Sequence, residues 1–137
     1  MMSYHSFAIS KNYYESFEEA VQLYKEERFR LSEKKFTDIL EKKKDYRDPV
    51  SQLFIAKSQV QQGFWSKARK TCKSLLAQYE NSPYEVNIYI LLGDCAFNEG
   101  KITSAFQNYL KARKLIDNLV YKNEVDKRLY NCIGLGL

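Results

Sequence analysis

Two short stretches with the same pattern decide the fold of this chain. Residues 62–68 read QGFWSKA and residues 99–105 read EGKITSA, so they superpose at an offset of 37 residues. Each contains a glycine, two turn residues, two polar residues and an alanine. Glycine is favoured where a helix ends in the left-handed conformation, and a small residue suits a close helix crossing. The pattern therefore predicts two helical hairpins, with Ala68 and Ala105 at the crossings.

A looser copy of the pattern precedes these two. Residues 26–29 read EERF, and Ser32 occupies the small position 36 residues before Ala68. Sequence repeats of this length, each forming a pair of helices, are typical of solenoid proteins. The chain is thus predicted to be all-α, a right-handed α-solenoid of three helical hairpins followed by a C-terminal helix.

Capping residues and apolar spacing mark the individual helices. Pro49 suits the first turn of a helix, with Asp48 before it as the N-cap. A last helix is predicted from about Asn123 to Ile133. Helical spacing of apolar residues is clear in the first hairpin, at Phe17, Ala20, Val21 and Tyr24.

The composition fits one globular domain without an active site. The chain has 137 residues, of which 45% are hydrophobic and 28% charged, which is typical of a folded domain. It has one histidine, His5, and no glycine-rich phosphate loop. Adjacent glutamates such as Glu18 and Glu19 point about 100° apart on a helix and do not converge. We therefore expect no catalytic residue, no metal site and no cofactor.

The cysteines and the hydropathy bear on the compartment. Cys72, Cys95 and Cys132 lack metal-ligand spacing and are expected to be free thiols used as small apolar residues. No apolar run reaches the roughly 20 residues that span a bilayer. The sequence as given therefore predicts a cytoplasmic protein. A periplasmic or envelope-associated location is the alternative if a leader was removed.

The positive charge is unevenly distributed. The formal net charge is +5, yet residues 1–27 carry −3 and the remainder +8. A basic face can attract an acidic protein or a lipid headgroup, or it can serve solubility alone. Nucleic acid is not expected as a partner. The basic residues fall on the predicted second helices of the first two hairpins and comprise Lys42, Lys43, Lys44, Arg47, Lys67, Arg69, Lys70 and Lys73.

One predicted hairpin resembles the tetratricopeptide repeat (TPR) family closely. The residues that carry the resemblance are Tyr89, Leu92, Gly93, Ala96, Gly100, Ala105, Tyr109 and Ala112. The second unit is similar at Ala56, Gly63, Ala68 and Cys72, and the first at Ala20, Phe29 and Phe36. The resemblance implies an N-terminal segment at 1–12 and a TPR domain at 13–137. Its repeats would span about 13–48, 49–85 and 86–119, with a partial fourth unit at 120–137.

The resemblance also implies a binding surface. In TPR proteins the first helix of each hairpin lines a concave groove, which would hold an extended or helical peptide of a partner protein. Phe17, Val21, Leu53 and Ile90 could equally be core residues. The groove positions carried over to this chain are Tyr14, Phe17, Val21, Tyr24, Val50, Leu53, Lys57, Gln61, Asn87, Ile90, Asp94, Phe97 and Asn98. The charged clamp of the chaperone-binding members is absent, since Phe17, Val21, Phe54, Asn87 and Leu91 stand at its positions.

The expected function is therefore a non-catalytic protein-binding adaptor or scaffold. Residues 79–84, YENSPY, followed by YILLGD at 89–94, are similar to the TPR modules of bacterial cell-envelope and transport-associated proteins. That similarity implies the alternative, an accessory module in transport or outer-membrane assembly. The apolar end at Leu129, Ile133, Leu135 and Leu137 further predicts that the chain is a fragment, whose exposed edge a second copy could cover. The alternative is a short natural protein whose last helix is itself the cap.

Overall fold

The computed structural model describes residues 4–42 and 48–136, and side chains from residue 12 onward. Within these ranges the chain is entirely helical, without a β-strand, which confirms the predicted all-α class. None of the described helices is both long enough and apolar enough to cross a membrane. The helices are α1 (Tyr4–Lys25), α2 (Phe29–Lys42), α3 (Pro49–Gln61), α4 (Trp65–Gln78), α5 (Glu85–Asn98), α6 (Ile102–Leu115) and α7 (Leu119–Gly134).

The core is a row of three clusters, each placed between one hairpin and the next. The first cluster joins α1 and α2 to α3 through Ala20, Phe36 and Ile55. The second joins α3 and α4 to α5, and the third joins α5 and α6 to α7. Each hairpin thus buries its apolar surface on its neighbour, which is the architecture of an α-solenoid.

The three hairpin turns share one geometry. Gly63 and Gly100 have φ of +80° and +79°, which confirms the predicted left-handed helix ends. In the second turn the Gly63 N–H donates to the Val60 carbonyl at 3.0 Å, and the N–H after it reaches the Gln59 carbonyl at 2.9 Å. This is a Schellman motif. Glu27, 36 residues before Gly63, adopts the same conformation with φ of +62°.

The start of α3 is fixed by Asp48, as predicted. Its carboxylate accepts hydrogen bonds from the Ser51 backbone N–H at 2.9 Å and from the Ser51 hydroxyl at 2.5 Å. The Tyr13 hydroxyl of α1 also donates to this carboxylate. Pro49 occupies the first turn, where its missing N–H costs nothing. The buried cap therefore ties the first hairpin to the second.

Helix bounds differ from the sequence prediction at both ends. α1 already begins at Tyr4, so it runs through residues that the sequence placed ahead of the first repeat. α7 begins at Leu119 and not near Asn123, because the Asn118 side chain caps it by accepting from the Val120 N–H at 2.8 Å. Lys43, Lys44 and Arg47 lie outside the described residues.

Overpacking the α5–α6 crossing tests the predicted register. Ala105 is fully buried in the third cluster. We expect Ala105→Leu to lower the free energy of unfolding by about 1–3 kcal/mol, because the added carbons have no space. Urea denaturation followed by circular dichroism measures this change. Ala77→Leu, on the exposed face of α4, is the control and should stay within about 0.5 kcal/mol of the wild type. An equal loss of stability in Ala105→Leu and Ala77→Leu would contradict a close crossing of α5 and α6 at Ala105.

Candidate functional site

A groove of about 470 Å³ runs along one side of the solenoid. The end of α1 and the helices α3, α5 and α7 line it, together with the residue that precedes α5. These are the first helices of successive hairpins, and α3 and α5 contact each other directly. The lining residues are Tyr24, Val50, Leu53, Phe54, Lys57, Val60, Gln61, Tyr84, Asn87, Ile90, Leu91, Asp94, Tyr121, Glu124 and Arg128.

The structure brings most of the sequence-predicted site residues together in this groove. Those that line it are Tyr24, Val50, Leu53, Lys57, Gln61, Asn87, Ile90 and Asp94. Phe97 and Asn98 lie instead in an adjoining cleft of about 390 Å³, which shares Asp94, Glu124 and Arg128 with the groove.

Three predicted residues of α1 do not line the groove. Phe17 and Val21 pack on the first core cluster, and Tyr14 is exposed to solvent elsewhere on the helix. Phe54 of α3 packs on the same cluster, and its ring approaches Phe17 with centroids 6.4 Å apart. Of α1, only Tyr24 near its C-terminal end lines the groove.

Other lining residues were missed by sequence reasoning. Tyr121, Glu124 and Arg128 all come from α7, which was predicted only as a partial fourth unit. In a TPR protein the first helix of each hairpin lines the groove. The same rule, applied to the partial fourth unit, predicts that α7 lines it too. The remaining missed residues are Phe54, Val60, Tyr84 and Leu91.

Lys57 places a positive charge on an aromatic wall. Its Nζ lies 5.3 Å from the ring centroid of Tyr24 and 5.1 Å from that of Phe54, within the range of cation–π attraction. Partial burial of the ammonium lowers the pKa of Lys57. In the described part of the chain no carboxylate forms an ion pair with Lys57.

Asp94, by contrast, is paired within the protein through one of its carboxylate oxygens. Its Oδ1 accepts a hydrogen bond from the Tyr109 hydroxyl at 2.6 Å and another from Arg128 Nε at 3.0 Å. Burial, followed by the nearby Asp94 carboxylate, raises the pKa of Tyr109, so the phenol keeps its proton and remains a donor. Arg128 also approaches Glu124 at 4.0 Å. These contacts pair one guanidinium with two carboxylates on the α5–α7 side of the groove.

The basic residues of α4 are partly used in holding the hairpins together. Arg69 pairs with Glu99 at the end of α5, and Lys67 pairs with Glu33 of α2 at 3.7 Å. Lys70 and Lys73 are exposed and form no ion pair with any described residue. The free positive charge on this face is thus smaller than the sequence suggests.

The cysteines are apolar core residues, as predicted. Cys72, Cys95 and Cys132 are free and buried. Burial raises the pKa of Cys72 to about 12 and that of Cys95 to about 11. Both thiols therefore stay protonated near neutral pH and are poor nucleophiles. Across the described residues, no group of histidine, cysteine, aspartate and glutamate side chains could hold a metal ion.

No protein-family model matches this chain, and no curated protein matches its sequence. A solved structure does share its architecture, namely the Yersinia enterocolitica type III secretion translocator chaperone SycD, in a crystal structure of its alternative dimer. The TM-score is 0.78 at 14% sequence identity, and the match covers 93% of this chain and 96% of that chain. The likeness establishes a TPR-like, all-helical fold.

Proposed function

We propose that the chain is a non-catalytic protein-binding module that holds a peptide segment of a partner protein in the groove. The observation that carries this proposal is the groove itself, built from the first helices of successive hairpins. Its volume of about 470 Å³ is within the range of sites that enclose ligands. Three structural features support a peptide as the occupant: apolar walls, aromatic rings and a few separate polar groups.

The chemistry of the walls suits a peptide with apolar side chains. Leu53, Phe54 and Leu91 provide the apolar surface at the base, while Gln61 and Asn87 are exposed amides at the rim. Apolar contacts of this kind supply affinity, and separate polar groups fix the register of a bound segment. The groove accordingly fits an extended or helical stretch of a partner.

The likeness to SycD supports a chaperone-like use of the groove. SycD is a type III secretion translocator chaperone. For this chain we infer an analogous role, in which the groove covers an apolar segment of a client protein. The alternative function is that of an accessory module in a cell-envelope protein that serves transport or outer-membrane assembly. The predicted location is cytoplasmic.

We further propose that the chain associates with a second copy of itself. Leu119, Tyr130 and Ile133 of α7 are exposed apolar side chains, and Leu135 follows them. In an α-solenoid such a face is covered by the next helix or by another molecule. Of the predicted edge, Ile133 and Leu135 are exposed, Leu129 packs instead on the third core cluster, and Leu137 lies outside the described residues. The exposed residues support contact with a second copy at the C-terminal edge.

Filling the groove should weaken peptide binding while leaving the fold intact. A phage-displayed library of random 12-residue peptides supplies the ligand, and fluorescence polarisation measures the affinity of the most enriched peptide. We expect Gln61→Trp combined with Asn87→Trp to weaken binding at least about tenfold, because both indoles would occupy the open volume. Since both native side chains are exposed, circular dichroism should be unchanged.

The matched control places the same new residue outside the groove. Gln78 on α4 and Gln107 on α6 are exposed and do not line the groove. Gln78→Trp combined with Gln107→Trp should bind the selected peptide with wild-type affinity. Equal binding by the groove-filled protein and the wild type would move the site elsewhere and refute the proposed function.

A further inference from the structure

The charges that line the groove are not equivalent. Arg128 and Asp94 form an ion pair in which the side chains are 33% and 21% exposed, and Glu124 lies beside the same guanidinium. Lys57 stands apart from this set, since it forms no ion pair with any residue that the structure describes. The groove therefore presents one cation without an ion pair among the described residues, opposite a wall on which Arg128 pairs with two carboxylates.

The position of the Lys57 ammonium is restricted by two aromatic rings. Tyr24 and Phe54 lie at 5.3 Å and 5.1 Å from Nζ, and the two rings contact each other edge to face with centroids 5.3 Å apart. Phe54 is in turn stacked on the fully buried Phe36 at 4.9 Å. The ammonium thus lies over aromatic rings that are themselves packed on the core.

A bound peptide without an acid would bury this charge unpaired. Lys57 is already partly desolvated, and a peptide in the groove would remove more water from its ammonium. Burial of an unpaired charge is costly, whereas a carboxylate placed beside it offsets that cost. Charge complementarity therefore favours a ligand that carries an acidic group at this point.

We propose that Lys57 is the specificity-determining residue of the groove, and that it selects peptide segments in which an acidic side chain is flanked by apolar residues. The ligand carboxylate contacts the Lys57 ammonium, while the flanking side chains contact the walls at Leu53 and Ile90. This inference rests on the proposed peptide-binding function. It differs from the charged clamp of chaperone-binding TPR proteins, because Lys57 is not at a clamp position.

The test is a selection with charge-reversed protein. A phage library of random 12-residue peptides is selected in parallel on the wild type, on Lys57→Glu and on Lys70→Glu. The last variant makes the same charge change on the exposed face of α4. We expect aspartate and glutamate to be enriched at least about threefold by the wild type and by Lys70→Glu. Lys57→Glu should instead enrich lysine and arginine.

A second measurement isolates the contact between the Lys57 ammonium and the ligand carboxylate. The strongest wild-type peptide is synthesised with its acidic residue intact and with that residue replaced by the corresponding amide. We expect the amide peptide to bind the wild type about tenfold more weakly, and Lys57→Gln to bind both peptides equally. The neutral glutamine variant also serves if Lys57→Glu fails to fold, as judged by circular dichroism.

Failure of the proposed peptide-binding function and failure of the inference about Lys57 give different results. If no peptide is enriched on the wild type beyond the level seen with the groove-filled Gln61→Trp/Asn87→Trp protein, the proposed function is wrong and the inference falls with it. If peptides are enriched in the groove but show no acidic preference, or keep it on Lys57→Glu, peptide binding stands and the role of Lys57 is refuted.

Discussion

Replacing Gly93 with alanine is expected to lower the free energy of unfolding by about 2–4 kcal/mol. A Cβ atom at this position would lie 2.3 Å from Cε1 and 2.5 Å from Cδ1 of the Tyr109 ring. Tyr109 is buried in the third core cluster, and its hydroxyl donates to Asp94. The ring cannot move away without losing packing and that hydrogen bond. Urea denaturation with circular dichroism detection measures the change.

Two controls separate this clash from a general effect of glycine. A Cβ atom at Gly134 of α7 would meet no described atom within 4 Å beyond the backbone of its own helix, so Gly134→Ala should stabilise the helix by up to about 1 kcal/mol. In a Tyr109→Ala background the ring is absent, and Gly93→Ala should then cost nothing further. Equal losses in both backgrounds would show that Tyr109 is not the cause.

Much of the fold was predictable because its determinants are local. The glycine turns at Gly63 and Gly100, the Asp48–Pro49 helix start and the small residues at the crossings all depend on neighbours within a few positions. The start of α7 was harder to place. An asparagine such as Asn118 can follow the end of one helix or cap the next, and only the hydrogen bond from the Val120 N–H decides between the two.

The first turn shows how geometry can persist where the sequence signature is lost. Glu27 adopts a positive φ without being glycine, and the Arg28 N–H still reaches the Leu23 carbonyl at 2.9 Å. The helix-end hydrogen bonds and the packing between hairpins maintain this turn. The looser sequence match therefore did not mean a looser structure.

The site was predictable only where it follows from the repeat. The groove-facing sides of α3 and α5 could be assigned from the resemblance. The repeat positions define which side of each helix points away from the second helix of its hairpin. The charge pairing could not, since Arg128 lies 34 residues from Asp94 and nothing local links them. Whether Lys57 has a carboxylate partner likewise depends on the three-dimensional positions of all the acidic residues.

The ring stack behind Lys57 connects stability with binding. Phe36 of α2 is stacked on Phe54 with centroids 4.9 Å apart and meets Phe17 of α1 edge to face at 5.6 Å. The stack therefore reaches three helices at once. Because Phe54 also lines the groove, a defect at Phe36 should reach the binding surface.

We expect Phe36→Ala to lower the free energy of unfolding by about 3–5 kcal/mol, because it opens a cavity beneath the stacked rings, where Phe36 is fully buried. Phe64→Ala is the control, since Phe64 is 49% exposed, and it should cost no more than about 1 kcal/mol. Peptide affinity of the still-folded Phe36→Ala protein, measured below its unfolding midpoint, should also fall, because Phe54 loses its support beneath Lys57. Wild-type stability of Phe36→Ala would contradict the ring stack. Reduced stability with unchanged peptide affinity would show that Phe54 holds Lys57 without help from Phe36.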